Sequence, residues 1–197
     1  MRNFEINKFK TNEKNIFVIL VFSFLIFSGI ANKTQAQEFK AGDNVLSLGL
    51  GIGSSLDHSG YTSQLPGFSI NFEHGQWDVD GPGNISIGGY LGFKSFKYEN
   101  YYYTEKINYT IIGVRSAYHF NMIKVDHLDV YGGLMLSYNI LNYSYSGSDI
   151  YSGNDDDNSI GVSLYAGGRY YLANNIAAFL ELGYGVAYLN IGGSYKF

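Results

Sequence analysis

Asp57, His58 and Ser59 stand side by side, the residue types of an orienting acid, a base and a nucleophile. Adjacent residues do not face one another, and a triad is set by geometry rather than by order in the chain, so the three read as a solvated turn. Residues 154–158, NDDDN, offer oxygen ligands of the kind Ca²⁺ takes. They lack the spacing of a calcium loop and its distal Glu, and read as a solvated acidic loop. His119 and His127 flank a turn over 121–128, on the side away from the surface loops. The chain has no Cys, which excludes a thiol nucleophile, a Cys-ligated zinc, a disulfide framework and a Cys-anchored lipoprotein. No catalytic residue, metal-ligand set or cofactor site is assigned, and the expectation is a protein that is not an enzyme.

The remaining charges fall into order once the chain is read by period. Residues 44–53, NVLSLGLGIG, put Leu46, Leu48, Leu50 and Ile52 on one face and Val45, Ser47, Gly49 and Gly51 on the other. Successive side chains of a strand point to opposite faces, so this is a strand with one apolar side. The alternation recurs over 67–77, 84–97, 107–120, 128–140, 160–172, 175–185 and 188–197. Eight such segments, about one per 20 residues, suit an antiparallel meander. The connections 78–83, 121–127 and 173–174 are fairly short, whereas 54–66, 98–106 and 142–159 are longer and polar. The last connection of the second set, at 186–187, is very short. Short turns at one end and long loops at the other are the layout of a transmembrane barrel.

Glu73, Lys94, Arg115, Asp129, Arg169, Glu181 and Lys196 all fall on the face that carries Gly, Ser and Tyr. Gly49, Gly88, Gly113, Gly133 and Gly167 share it. Gly weakens an exposed strand and is expected where other groups crowd close. The interior of an eight-stranded barrel is only wide enough for side chains, so the polar face is placed inside. An unpaired charge in so narrow a space costs too much. Glu73, Lys94, Arg115, Arg169 and Glu181 are therefore expected to form an ion-pair network that plugs the lumen.

Two other architectures compete. A soluble lipocalin-like barrel would turn the apolar face inward, and a β-sandwich would use the aromatics as its core. The apolar-face aromatics, however, lie near strand ends: Phe68, Phe93 and Tyr184 at one end, Tyr118, Phe120, Tyr170, Tyr195 and Phe197 at the other. That is the placement of the girdles at membrane interfaces. Gly75 and Trp77 form a Gly-x-Trp, which lipocalins carry on their first strand; here it ends the second segment, and Trp77 reads as an interfacial anchor.

The N-terminus has a different character. Arg2, Lys8, Lys10 and Lys14 precede an apolar run over 16–31, IFVILVFSFLIFSGIA, and then NKTQAQ. This is a secretory signal layout, with cleavage expected after Ala36. The alternative is an uncleaved anchor, for which sixteen residues is short. Taking the leader's five Lys+Arg and two Asp+Glu from 13 and 17 leaves 8 and 15, a net charge of −7 for 37–197. With no basic stripe to neutralise phosphates, nucleic acid is not an expected partner. An aromatic content of 17% argues against disorder.

Residues 190–197, NIGGSYKF, resemble the C-terminal β-signal read by the outer-membrane assembly machinery, with Asn190, Gly192, Tyr195 and the terminal Phe197 at the matching places. Residues 181–197, ELGYGVAYLNIGGSYKF, with RYYLANN before them, are similar to small outer-membrane barrels common in Bacteroidetes. The wider resemblance is to eight-stranded barrels of the OmpA/OmpX type. It covers 37–197 as a pattern and is motif-specific only over about the last 30 residues. Members of that group serve structural, adhesive or surface-defence roles, and some eight-stranded barrels modify lipid A.

The expectation is thus an all-β, eight-stranded antiparallel up-and-down transmembrane β-barrel over 37–197, following a cleaved leader over 1–36. It is expected in the bacterial outer membrane as a monomer, with outer-membrane lipid, lipopolysaccharide and the assembly machinery as partners and any extracellular ligand unidentified. The leading function is a non-enzymatic envelope protein with a structural or adhesive role through its Tyr- and Ser-rich loops. The alternatives are a small channel and a lipid A-modifying enzyme.

Overall fold

The computed structural model describes residues 39–53, 63–79, 81, 83–99, 101, 103–123, 125–147, 158–184 and 186–197. The leader, Asp57–His58–Ser59 and the acidic residues 155–157 lie outside the described residues. Eight strands follow in order: β1 (Asn44–Ile52), β2 (Ser63–Val79), β3 (Gly83–Glu99), β4 (Tyr103–Phe120), β5 (Leu128–Gly147), β6 (Ser159–Tyr171), β7 (Ile176–Tyr184) and β8 (Leu189–Lys196). Each pairs antiparallel with the next, and β8 pairs with β1 to close the barrel. Closure leaves no edge and rules out the sandwich.

Side chains alternate across the wall as the period-two pattern dictates. On β1, Val45 and Ser47 are buried while Leu46, Leu48, Leu50 and Ile52 are exposed. Leu134, Val162, Leu182 and Ile191 likewise face outward. Glu73, Arg115, Asp129, Arg169 and Glu181 are buried in the lumen. The apolar face therefore turns out and the polar face in, the reverse of a lipocalin-like barrel. Backbone groups are satisfied within a closed ladder and the outer surface is apolar, which is what a hydrocarbon environment demands. Phe68, Phe93 and Tyr184 fringe this surface at one end, and Trp77, Phe120, Tyr195 and Phe197 at the other.

The pairing also fixes the stagger. From Gly49 the register leads through Ser69, Gly92, Ile111 and Asn139 to Ser159 on β6. The opposite way round it leads through Gly192 and Phe179 to Arg169. The two routes reach β6 ten residues apart, at 159 and 169, which is the shear that tilts the strands and sets the width of the lumen.

The rim is stepped. Strands β2 to β5 run 17 to 20 residues, while β1, β7 and β8 run 8 or 9. Three connections are therefore shorter than the sequence pattern implied: β2 begins at Ser63, β3 and β4 are joined across 100–102, and β5 continues to Gly147. The cause is an inversion of polarity along the wall. Above Phe93 the outward positions become Ser95, Lys97, Asn108 and Asn142, while Phe96, Tyr109 and Leu141 turn inward. The ladder persists where its greasy outer face has stopped.

Leu134 sits midway along the apolar face of β5 at 56% exposure. Leu134→Arg should cost about 2–4 kcal/mol of unfolding free energy in phospholipid vesicles, the cost of an Arg at a bilayer midplane. Urea unfolding in vesicles measures it; a change under 0.5 kcal/mol would mean that water, not lipid, meets this face.

Candidate functional site

Among the described residues, ionisable side chains concentrate in the lumen, where they are organised in two tiers. At the short-turn end, Glu73 of β2, His119 of β4, Asp129 of β5 and Arg169 of β6 form a closed ring. His119 Nε2 lies 2.6 Å from Glu73 Oε1 and Nδ1 lies 2.7 Å from Asp129 Oδ1. Arg169 Nη2 donates to Glu73 Oε2 at 2.8 Å and Nη1 to Asp129 Oδ2 at 3.0 Å. Each carboxylate is thus held by the same two cationic side chains, and each oxygen of each carboxylate has a partner. Both ring nitrogens of His119 face carboxylate oxygens, the arrangement an imidazolium fills by donating twice. His119 is 0% exposed and Arg169 1%.

The second tier lies further up. Arg115 Nη2 of β4 donates to Glu181 Oε1 of β7 at 2.6 Å, and Tyr131 Oη of β5 donates to the same oxygen at 3.0 Å. Arg115 Nε donates to Tyr165 Oη at 3.1 Å, and its guanidinium lies over the Tyr165 ring, 3.9 Å from the centroid. Tyr131 links the tiers, since its ring also meets those of His119 and Tyr165 and lies beneath the Arg169 guanidinium. Above this, Tyr90, Phe96, Tyr109, Ile111 and Met135 form an apolar cluster across the lumen. A cavity of about 40 Å³ remains beside Arg115 and Glu181, lined also by Tyr90, Ser163 and Asn190, with room for about two waters.

A third component closes the short-turn mouth. Phe39, which precedes β1, is 1% exposed and stacks on His119 with ring centroids 4.0 Å apart and planes at 21°. Asn84 Nδ2 donates to the Phe39 carbonyl at 2.6 Å. Gly42 N donates to Gly75 O, and Gly75 N to Asp43 O, so the segment is laced to β2. The Lys40 carbonyl passes so close to Gly75 that a Cβ there would collide with it. This crossing coincides with the β2 bulge between Gly75 and Trp77.

Ser86, His119 and Asp129 also have the outline of a hydrolytic triad. Ser86 Oγ lies 3.1 Å from His119 Nε2, and His119 Nδ1 contacts Asp129. The chemistry does not follow from the outline. Glu73 approaches the same Nε2 more closely, so that nitrogen is not a base available to Ser86. Asp129 is shared with Arg169, and Phe39 covers the ring. Ser86 is 1% exposed, with no room for a substrate carbonyl beside it. A general base must reach the proton that it abstracts, and here that place is taken.

Of the five residues expected in a network, Arg115 and Glu181 meet each other, and Arg169 meets Glu73. Arg169 and Glu181, neighbours across a short turn, belong to different tiers. Lys94 lies higher on β3, with Nζ donating to the Gly53 carbonyl at 2.8 Å and 5.1 Å from the Phe96 ring centroid. Sequence reasoning saw His119 only as flanking a turn, placed Asp129 only on the inner face and missed Phe39. The signal for His119 was its parity with Arg115, four residues away on β4. Phe39 lies outside every alternating segment and gives no periodic signal.

The C-terminal residues are placed by the closing strands. Asn190 is inward, its Nδ2 donating to Ser69 Oγ at 3.4 Å. Gly192 lets β8 approach β1, since a Cβ there would meet the Leu48 carbonyl, and leaves space for the Phe179 ring. Tyr195 and Phe197 face outward and stack with centroids 6.1 Å apart. Phe197 and Asn44 exchange both backbone hydrogen bonds, at 2.9 and 3.1 Å.

The buried pair supports a double-mutant cycle. Arg115→Met alone leaves the Glu181 charge uncompensated and should cost about 3–5 kcal/mol, while Arg115→Met with Glu181→Leu should cost markedly less. Vesicle unfolding of the four proteins gives the coupling energy, and additivity would show that the two side chains do not depend on each other. A fluorophosphonate probe of activated serines should leave Ser86 unmodified; labelling that Ser86→Ala abolishes would establish a working nucleophile.

No family model matches the chain, and no curated protein matches it. Solved structures do. The barrel is similar to Ail, the attachment invasion locus protein of Yersinia pestis in complex with the heparin analogue sucrose octasulfate, at 11% identity and a TM-score of 0.51, over 80% of this chain and 99% of that one. It is also similar to the N-terminal β-barrel domain of Pseudomonas aeruginosa OprF, at 14% identity and a TM-score of 0.46, over 81% and 100%. A further similarity is to Pseudomonas aeruginosa OprG, at 13% identity and a TM-score of 0.44, over 80% and 97%. Identities this low carry the fold and neither a source organism nor an activity. With its apolar exterior and closed eight-stranded order, this chain has the fold of the small bacterial outer-membrane β-barrels.

Proposed function

We propose that the protein is a non-enzymatic envelope barrel with a sealed lumen, whose long-loop end faces outside and serves surface recognition. One observation carries the reading: among the described residues the lumen is occupied by paired charges, an aromatic layer and the Phe39 stopper, while the outside of the barrel band is apolar. A lumen so occupied holds the strands together and transmits little. Function then falls to the surfaces, and the stepped rim lifts β3, β4 and β5 beyond the apolar band. Tyr and Ser, which alternate over 143–146 and recur beyond, are adaptable contact residues. Residues 148–157 contain Asp149, Asp155, Asp156 and Asp157 and no cation. A cationic or uncharged partner fits that composition, whereas a polyanion such as the sulfated ligand seen with Ail does not. Residues 1–36 would act as an export signal cleaved after Ala36, and the 190–197 segment as the signal to the assembly machinery.

In planar bilayers the purified barrel should show no steady conductance, and Glu181→Ala should admit brief openings. A steady channel in wild type and Glu181→Ala alike would replace the sealed barrel with a pore. The same preparation should sediment with outer membranes and migrate faster in gels before heating than after.

A further inference from the structure

We propose that Lys97 of β3 and Lys106 of β4 form a docking site for a phosphate group carried by a saccharolipid of the outer leaflet. The inference rests on the membrane reading above and names the partner of one patch of the outer surface.

The patch emerges when the outward face of β3 and β4 is followed upward from the apolar band. Phe93 pairs with Thr110, Ser95 with Asn108, Lys97 with Lys106, and Glu99 with Thr104. Ser95 Oγ donates to Asn108 Oδ1 at 2.8 Å, so the row above the girdle is already polar and ordered. Two ammonium groups then stand directly opposite each other. Like charges in that position destabilise a ladder unless an anion lies between them. Glu99 supplies one such anion to Lys97 at 2.8 Å. Lys106 is exposed and makes no ion pair among the described residues.

The distribution of the other cations sharpens the point. Lys94, Arg115, Arg169 and Lys196 all stand at inward positions of their strands. Among the described strand residues, Lys97 and Lys106 are therefore the cations turned outward, and they occupy one spot on one hairpin. Four residues above Phe93 is about 13 Å along a strand, and less along the membrane normal because barrel strands tilt. Lysine stems lie along apolar surface and reach several ångströms with their charged ends. Both ammonium groups thus fall at the level where the headgroups of the outer leaflet begin. A phosphate on a lipid headgroup would supply Lys106 with its counter-charge and take the place of Glu99 at Lys97, with the Ser95 and Asn108 side chains just beneath it. Lysine recognises phosphate as a point charge and needs no finer geometry.

The test uses the whole barrel in bilayer nanodiscs and native mass spectrometry, with three probes: monophosphoryl lipid A, the same lipid dephosphorylated, and inorganic phosphate. Wild type should retain the phosphorylated lipid about 30-fold better than Lys97→Gln/Lys106→Gln, from roughly equal contributions of two surface lysines. Both proteins should hold the dephosphorylated lipid alike. Equal retention of the phosphorylated lipid overturns the proposal, as does a parallel loss of the dephosphorylated one. Displacement by millimolar inorganic phosphate overturns it too, because the site would then be one for free anions. The heat-dependent gel shift verifies that the double variant has folded; if it has not, Lys106→Gln alone should lower retention about fivefold, and no change overturns the proposal. Wild type without the gel shift would defeat the membrane reading itself, whereas a folded wild type indifferent to the lysines defeats only the site.

Discussion

A space with room for hardly any water has to satisfy its own charges. Eight strands with this stagger enclose a lumen filled by side chains, so an ionised group within must find its counter-charge or its hydrogen-bond partners in the wall itself. The ring of Glu73, His119, Asp129 and Arg169 meets that demand with few groups, since two carboxylates offer four oxygens and two cationic side chains occupy all four. Loss of one member strands the others, so the four stand or fall together. Much else in the wall follows from making room for such groups. Gly167 lies against the Glu181 side chain, and Gly49 and Gly192 border the Phe179 ring.

The polarity inversion along the axis divides the molecule into two kinds of protein. Within the apolar band it is greasy outside and charged within. Beyond the band, β3 to β5 carry Phe96, Tyr109 and Leu141 on the inside and Ser95, Asn108 and Asn142 on the outside, as a water-soluble sheet would. One continuous ladder serves two solvents, and the crossover falls near Phe93 and Tyr138. The apolar cluster that caps the ionic tiers is thus the core of the protruding part.

This inversion also explains what was legible in the sequence. Leu46, Leu48, Leu50 and Ile52 announce a strand because lipid demands one apolar face, and all eight strands were readable for the same reason. The extension of β5 through Tyr143 and Tyr145 was not, because alternation of Tyr with Ser and Asn resembles a polar loop in composition. Inward parity marked Glu73, Arg115, Arg169 and Glu181 as lumen residues, but parity says nothing about partners. Those depend on the stagger, which sets Arg169 opposite Glu73 rather than beside Glu181, and the stagger is a property of closure that no single segment carries. Phe39 was beyond reach altogether, since its place is fixed by three-dimensional contacts with Asn84 and His119.

The ring has one more property, which concerns time. Hairpins form from neighbours in the chain, and seven of the eight strand pairings join consecutive strands. The Glu73–Arg169 pair instead joins groups 96 residues apart on strands that stand across the lumen from each other. Before the sheet curls shut, these charges face away from one another with water between them. Contacts of such long sequence separation are made late, because the intervening chain must be ordered first. Glu73 therefore acts as a latch on the finished cylinder: the His119–Asp129 and Asp129–Arg169 contacts join neighbouring strands and can form as the sheet grows, whereas the Glu73–Arg169 contact becomes favourable only once the wall has closed around it.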